Sequence, residues 1–394
     1  MRLRFYYDVV CPYAYLASER VEAVAARTGA ELEWCPVLLG GLYQHHGTDQ
    51  VPAESWAEAK VGIGARDLAQ QAAHHGLAFT LNPRHPQRTV AAMRLIVAAP
   101  WTVRASLSHD LFRAYHVDGQ DLSDHDVLAR IAGPHGVDMG AIEDASIKQT
   151  LRGLTAAAAK AGTFGVPVFE VGRRRWWGQD RLHLVEQALG GPGRAEPAAA
   201  PHKARRLTFF HDFSSPFSYL ASTQIDRIAA ATGARVRWRP ILLGALFREI
   251  GTPDVPLFSM TEAKRSFVGQ DLQDWAQWWG EPFRFPDTFP LRTVTALRIA
   301  LQDPTTTRHL YRAAWVDGKD IGAADVLAQV LTNAGFDADG LLAGTQEQAI
   351  KQALKDNTTA AIDAGACGVP TFVLGKQLWW GQDRMNLVTA ALQA

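Results

Sequence analysis

Three cysteines in 394 residues, Cys11, Cys35 and Cys367, are too few and too scattered for a disulfide framework, and no CxxC or metal-type spacing joins them. Each thiol therefore stands alone. Net charge is absent as well: 40 Lys and Arg balance 40 Asp and Glu, so no global field favours nucleic acid or an anionic membrane, and a small-molecule partner is expected. No apolar run approaches a membrane span, and Met1-Arg2-Leu3-Arg4-Phe5 leads into a strand with no signal-peptide core, so a cytoplasmic location is expected. The 13 histidines include the pairs His45-His46 and His74-His75, yet no HExxH or comparable spacing makes a metal site of them.

What the chain does contain is one unit written twice. Phe5-Tyr6-Tyr7-Asp8-Val9-Val10-Cys11-Pro12-Tyr13-Ala14-Tyr15-Leu16-Ala17 returns as Phe209-Phe210-His211-Asp212-Phe213-Ser214-Ser215-Pro216-Phe217-Ser218-Tyr219-Leu220-Ala221. Further landmarks align in order: Pro36/Pro240, Leu39-Gly40/Leu243-Gly244, Arg88-Thr89-Val90/Arg292-Thr293-Val294, Gly165-Val166-Pro167/Gly368-Val369-Pro370 and Trp177-Gly178-Gln179-Asp180-Arg181/Trp380-Gly381-Gln382-Asp383-Arg384. Small register shifts between them are indels in loops. A Pro/Gly/Ala-rich stretch separates the copies, which predicts repeats over 1–192 and 205–394 with a linker at 193–204.

Within the first copy, Leu3 to Tyr7 reads as a strand, Pro12 to Arg27 as a helix closed by Gly29, and Glu31 to Leu38 as a second strand, which implies a parallel crossover. From Tyr43 to Ala161 the period is helical almost throughout, broken at Gly76, Pro83, Pro100 and Pro134. Then Val166–Val171 and Arg174–Trp177 read as two strands about a Gly172 turn, and Asp180 to Leu189 as a last helix. This is an α/β layout, a thioredoxin-like sheet with a large helical insertion, present twice. Each first helix starts with Pro after Cys11 or Ser215, so a sulfur or hydroxyl sits at the positive end of a helix, where a thiolate is stabilised.

Taken together, Asp212 to Ala221, Leu242-Leu243-Gly244, Gly368-Val369-Pro370-Thr371-Phe372 and Trp379 to Arg384 resemble the DsbA-like branch of thioredoxin folds, and within it 2-hydroxychromene-2-carboxylate isomerase and the kappa-class glutathione transferases. The resemblance covers nearly all of each half. It implies glutathione as cofactor, Ser215 as the glutathione-activating serine, and Cys11 in its place in the first half. It implies that Val166 and Val369, each before a cis proline, pair their main chains with the cysteinyl unit of glutathione. Gln179, Asp180 and Arg181, and Gln382, Asp383 and Arg384, then hold the γ-glutamyl end, although the family usually has Asn where Gln179 and Gln382 stand. On the substrate side, a family lysine falls on Arg248 and on Gln44, and a family tyrosine on Phe289 and His85, which removes its hydroxyl from both copies. A glutathione-dependent cis-trans isomerase acting on a small unsaturated substrate is the reading that results. Glutathione transfer, thiol exchange through Cys11, and a binding or scaffold role for the first repeat are its alternatives, and the two halves are expected to pair as an intramolecular pseudo-dimer.

Plainer readings stand beside these. Ser215 alone need be no more than an N-cap, about 1 kcal/mol of helix stability. Cys11 is either a low-pKa thiol able to form a mixed disulfide or a neutral replacement of serine. Cys35 and Cys367 read as small buried hydrophobes, Cys367 with some prospect of touching the thiol site. Trp275, Trp278 and Trp279 at helical spacing read as core before substrate wall. Lys60 and Lys264 match between copies and are candidates to line the cleft.

Overall fold

The computed structural model describes residues 1–193 and 205–394, so the predicted linker lies, after residue 193, outside the described residues. The chain forms two compact units. One comprises 1–55, 68–193 and 261–268 of the described residues; the other comprises 56–67, 205–260 and 269–394. Segments 56–67 and 261–268 thus belong to the unit opposite to the one their repeat assigns.

The first repeat runs β1 (Arg2–Tyr7), α1 (Pro12–Thr28), β2 (Glu31–Pro36), α2 (Leu39–His45), α3 (Glu58–His74), α4 (Val90–Ala98), α5 (Trp101–His116), α6 (His125–Ala132), α7 (Ala145–Lys160), β3 (Val168–Val171), β4 (Arg174–Trp177) and α8 (Leu182–Ala188). Its sheet has the order β2-β1-β3-β4, with β1 parallel to β2 and antiparallel to β3. Inward residues on β1 alternate as Leu3, Phe5 and Tyr7. Phe5 stacks on Tyr7 at 5.1 Å and on Phe169 at 5.5 Å, with Trp34 edge-on at 5.1 Å. Burying each such ring stabilises the sheet by roughly 2–3 kcal/mol. α1 ends where Gly29 turns left-handed (φ 62°).

The second repeat has β5 (Arg206–His211), α9 (Pro216–Thr232), β6 (Arg235–Pro240), α10 (Leu243–Glu249), α11 (Glu262–Trp279), α12 (Val294–Gln302), α13 (Thr307–Trp315), α14 (Ala324–Asn333), α15 (Ala338–Gly344), α16 (Gln348–Asp363), β7 (Thr371–Leu374), β8 (Gln377–Trp380) and α17 (Met385–Gln393). The sheet order is β6-β5-β7-β8 with the same polarities. Phe209, Phe372, Trp379, Ile225 and Val388 fill its core, and Trp279 packs against that cluster. Trp275 is fully buried and contacts Trp279 at 4.8 Å, so these two residues of the tryptophan stripe are core, while Trp278 is half-buried.

Departures from the sequence reading have local causes. β2 stops at Pro36, short of Leu38, because Leu38 already caps α2 and its N–H donates to Thr155. The third strand begins at Val168, since Val166-Pro167 carries a cis peptide bond. The last helix is a 3-10 turn, Gln179–Arg181, followed by α8. No described helix is long and apolar enough to cross a membrane.

The corresponding contact on the two first helices differs in chemistry. His109 lies 3.3 Å from Glu19 and 3.5 Å from Glu22 with its ring edge-on to Trp34, whereas the aligned Arg308 pairs with Asp226. Burial alone lowers the His109 pKa, but the hydrogen bond to Glu19 and the charge of Glu22 outweigh it and raise the imidazole above its usual 6.5. A group whose pKa rises on folding adds stability that is complete below its unfolded value and lost as pH climbs through the folded one. Thermal melts from pH 6 upward are expected to show a fall in stability that flattens in His109→Gln; an identical slope in the variant removes the tie from the account.

Candidate functional site

In the second unit the bend between β5 and α9 is held by one carboxylate. Asp212 Oδ1 accepts from the Ser214 N–H at 2.9 Å and the Thr293 hydroxyl at 2.7 Å, and Oδ2 accepts from the Leu243 N–H at 2.8 Å. Burial raises the Asp212 pKa, while the Leu243 and Ser214 N–H groups and the Thr293 hydroxyl work against that rise. The bend is fixed a second time by Trp315, whose indole N–H donates to the Phe213 carbonyl at 2.8 Å. Both devices recur in the first unit: Asp8 accepts from Val10, Thr89 and Leu39, and the His116 Nε2 donates to the Val9 carbonyl at 2.9 Å. Burial drives the His116 pKa down to about 3, which leaves a neutral ring with its proton on that bond.

On this frame Ser215 caps α9. Its Oγ accepts from the Ser218 N–H at 3.1 Å and donates to the Val369 carbonyl at 3.2 Å. Val369-Pro370 is cis, and the Pro370 carbonyl accepts from the Gly381 N–H at 3.0 Å, which ties the Gln382-Asp383-Arg384 turn to the same loop. Helix end, cis-proline loop and turn are therefore brought together in one unit.

The first unit repeats the geometry with sulfur. Cys11 Sγ donates to the Val166 carbonyl at 3.2 Å and, unlike Ser215, makes no side-chain cap bond to its helix. Burial pushes the Cys11 thiol up to about 12, with the Ala14 and Tyr13 N–H groups only partly offsetting it, so the low-pKa alternative has no support in this environment. The Gly178 N–H donates to the Pro167 carbonyl at 3.0 Å. Gly178 has φ 108°, and a Cβ there meets Asp180 Oδ1 at 2.6 Å, so only glycine lets Asp180 fold back to pair with Arg181 at 2.8 Å.

This is the arrangement on which comparison with known proteins bears. A model of the DSBA-like thioredoxin domain matches residues 2–190 and again 206–393. The chain belongs to the DSBA-like thioredoxin domain family. It carries that domain as a tandem duplication. Among its relatives, a 2-hydroxychromene-2-carboxylate isomerase from Pseudomonas putida is 29% identical over 190 residues, 47% of this chain and 93% of the relative. Glutathione S-transferase kappa 2 from Caenorhabditis elegans is 28% identical over 202 residues, 46% of this chain and 89% of the relative. Among solved structures, a 2-hydroxychromene-2-carboxylate isomerase is 27% identical, with a TM-score of 0.44 over 48% of this chain and 94% of the other.

In this DSBA-like chain the remaining expected residues are more dispersed. Arg384 binds the Asp67 carboxylate through Nε at 2.5 Å and Nη2 at 2.9 Å and pairs with Asp383 at 3.1 Å, so its charge is already met by two carboxylates. Arg248 is exposed on α10 and its Nε donates back to the Gly244 carbonyl at 3.3 Å; Gln44 is likewise exposed on α2. No described hydrogen bond joins either to Ser215 or Cys11. Phe289 precedes a second cis proline, Pro290, and lies among Phe258, Phe285 and Trp315. His85 precedes cis Pro86, and its Nδ1 lies 3.1 Å from the Tyr115 hydroxyl. Lys264 sits over the Trp177 ring at 5.6 Å, and burial lowers its pKa. Lys60 sits over Trp56 at 4.0 Å. Cys367 packs with Ile63 and Leu378, and its thiol is pushed up to about 12 by burial; Cys35 is pushed to the same value for the same reason.

Sequence reasoning passed over Asp8 and Asp212 as alignment landmarks, and over Thr89 and Thr293, His116 and Trp315, Asp67, and the cis bonds at Pro86 and Pro290. The matched Asp and Arg-Thr-Val landmarks were the available signal, since a carboxylate kept beside a helix start asks for N–H and hydroxyl donors.

Proposed function

We propose that the second unit is a glutathione-dependent isomerase centred on Ser215. The observation that carries the reading is the Ser215 hydroxyl itself, buried at the N-terminus of α9 and bonded to the carbonyl of the cis-proline loop. The residues present fit glutathione on two further counts. Gln179 Nε2 and Gln382 Nε2 are buried donors without a partner at the head of each Gln-Asp-Arg turn, which suits a ligand carbonyl or carboxylate. The Val166 and Val369 N–H groups have no acceptor among the described residues, which suits an extended peptide laid along the loop.

When bound, glutathione supplies a thiolate that adds reversibly to an electron-poor double bond. The chain's part is to bind and to hold charge. Ser215 turns its hydroxyl proton from the Val369 carbonyl to the sulfur, and the positive end of α9 lowers the cost of ionising that sulfur. Val369 offers its main chain to the cysteinyl unit, and Gln382 and Asp383 take the γ-glutamyl end. Arg248, at the position of the family lysine, is the cation assigned to meet a carboxylate or a developing enolate, on a substrate of the 2-hydroxychromene-2-carboxylate type.

The kappa-class relatives favour a second reading, glutathione transfer at the same serine. Glutathione assay after complete turnover separates the two: an isomerase returns all of it, and a transferase consumes one equivalent per product. A reaction that runs at full rate without added glutathione rules out both.

A further inference from the structure

The first helices of the two repeats carry different residues at one aligned position, Arg20 and Gln224. In the first unit, Arg20 on α1 donates through Nη1 to the Gln179 carboxamide oxygen at 2.5 Å and through Nη2 to the Gln179 carbonyl at 3.0 Å. The same Nη1 lies 2.6 Å from His75 Nε2, and burial together with the Arg20 charge holds that imidazole neutral, its pKa driven down to about 3. In the second unit the aligned residue is Gln224, uncharged and buried, whose Nε2 donates to the Thr223 hydroxyl at 2.9 Å and to Glu281 at 3.4 Å. A guanidinium thus binds the first turn, whereas the aligned residue on α9 is an uncharged amide bonded to Thr223 and Glu281.

We infer that the first unit rejects the α-ammonium of a γ-glutamyl thiol and accepts a thiol ligand whose acid end carries no ammonium, with Arg20 as the residue that sets this choice. The inference rests on the glutathione reading above. Two effects act in the same direction. Arg20 donates to both acceptor oxygens of Gln179 and so weakens them as partners for an ammonium, while the Gln179 Nε2 donor remains unpartnered and suits a carboxylate. The fixed positive charge also repels a second cation in a partly buried site, where screening is weak. Gln382 differs on the first point: its Nε2 is orphaned in the same way, yet among the described residues no guanidinium reaches its carboxamide. Arg20 is a positioning and selecting residue, not a catalytic one.

Calorimetry on the full chain tests this with two probes, glutathione and its deaminated analogue, in which a glutaryl group replaces the γ-glutamyl group. The intact chain is expected to bind one glutathione and two molecules of the analogue. Arg20→Gln, which installs the second repeat's residue, is expected to bind two glutathiones, the new site strengthened at least about tenfold, equivalent to 1.4 kcal/mol. Arg20→Lys, which keeps the charge, stays at one. Two equal glutathione sites in the unmodified chain, or one site in a folded Arg20→Gln, overturn the inference and leave the glutathione reading intact. No glutathione bound by any of the three proteins overturns the reading and the inference with it.

Discussion

Ser215→Ala is expected to lower glutathione-dependent turnover by roughly 10- to 100-fold, because a hydroxyl donating to an ionised sulfur contributes about 1.5–3 kcal/mol. The loss should fall on kcat and on the pH at which the bound thiol ionises, since the hydroxyl stabilises the thiolate more than the thiol. The same change removes the cap bond from the Ser218 N–H, which costs about 1 kcal/mol of stability and is read separately by denaturant unfolding. Ser215→Thr keeps the hydroxyl and the cap and is expected to recover part of the rate. Turnover unaltered in a stable Ser215→Ala reduces this residue to a helix cap.

Asp212→Asn is expected to cost more in stability and to abolish turnover as a consequence. Three donors converge on the two carboxylate oxygens: the Ser214 and Leu243 N–H groups and the Thr293 hydroxyl. An amide offers one oxygen and turns an N–H₂ toward a donor, which leaves buried groups unpaired at about 1–3 kcal/mol each. The bend ahead of Ser215 loses its anchor to α10 and α12 at the same time. Asp8→Asn makes the equivalent lesion in the first unit and should lower its stability by a similar amount without touching turnover. Urea unfolding and steady-state rates on both variants check the pair; equal loss of activity in Asp8→Asn means that both units are catalytic.

Much of the architecture was legible because it rests on local signals. Proline after a small residue marks the starts of α1 and α9, Gly29 their kind of stop, and Gly-Val-Pro the cis loop, and the duplicated landmarks supply each twice. The site was less legible, because its supports are long-range. The bond from Thr293 to Asp212 spans 81 positions and that from Trp315 to Phe213 spans 102, and no periodicity encodes either. The paired status of Arg384 was hidden for the same reason, since Asp67 lies 317 positions away. The resemblance suggested a ligand-facing Arg384, and three-dimensional proximity supplied two carboxylates that hold it. For Cys11 the sequence left two readings open, and burial decides the direction: a helix N-terminus lowers a thiol's pKa, but desolvation at this depth raises it more strongly.

Cys11 and Ser215 donate to the carbonyls of Val166 and Val369 at the same 3.2 Å, so the two units share this bond and differ in the atom that makes it and in the cap bond that Ser215 alone accepts. The chain therefore carries its own matched control. Any effect of temperature, salt or solvent on this frame acts on both copies in the same tube, and a difference between them reports the exchange of sulfur for oxygen, the cap bond of Ser215 and the guanidinium at the first turn.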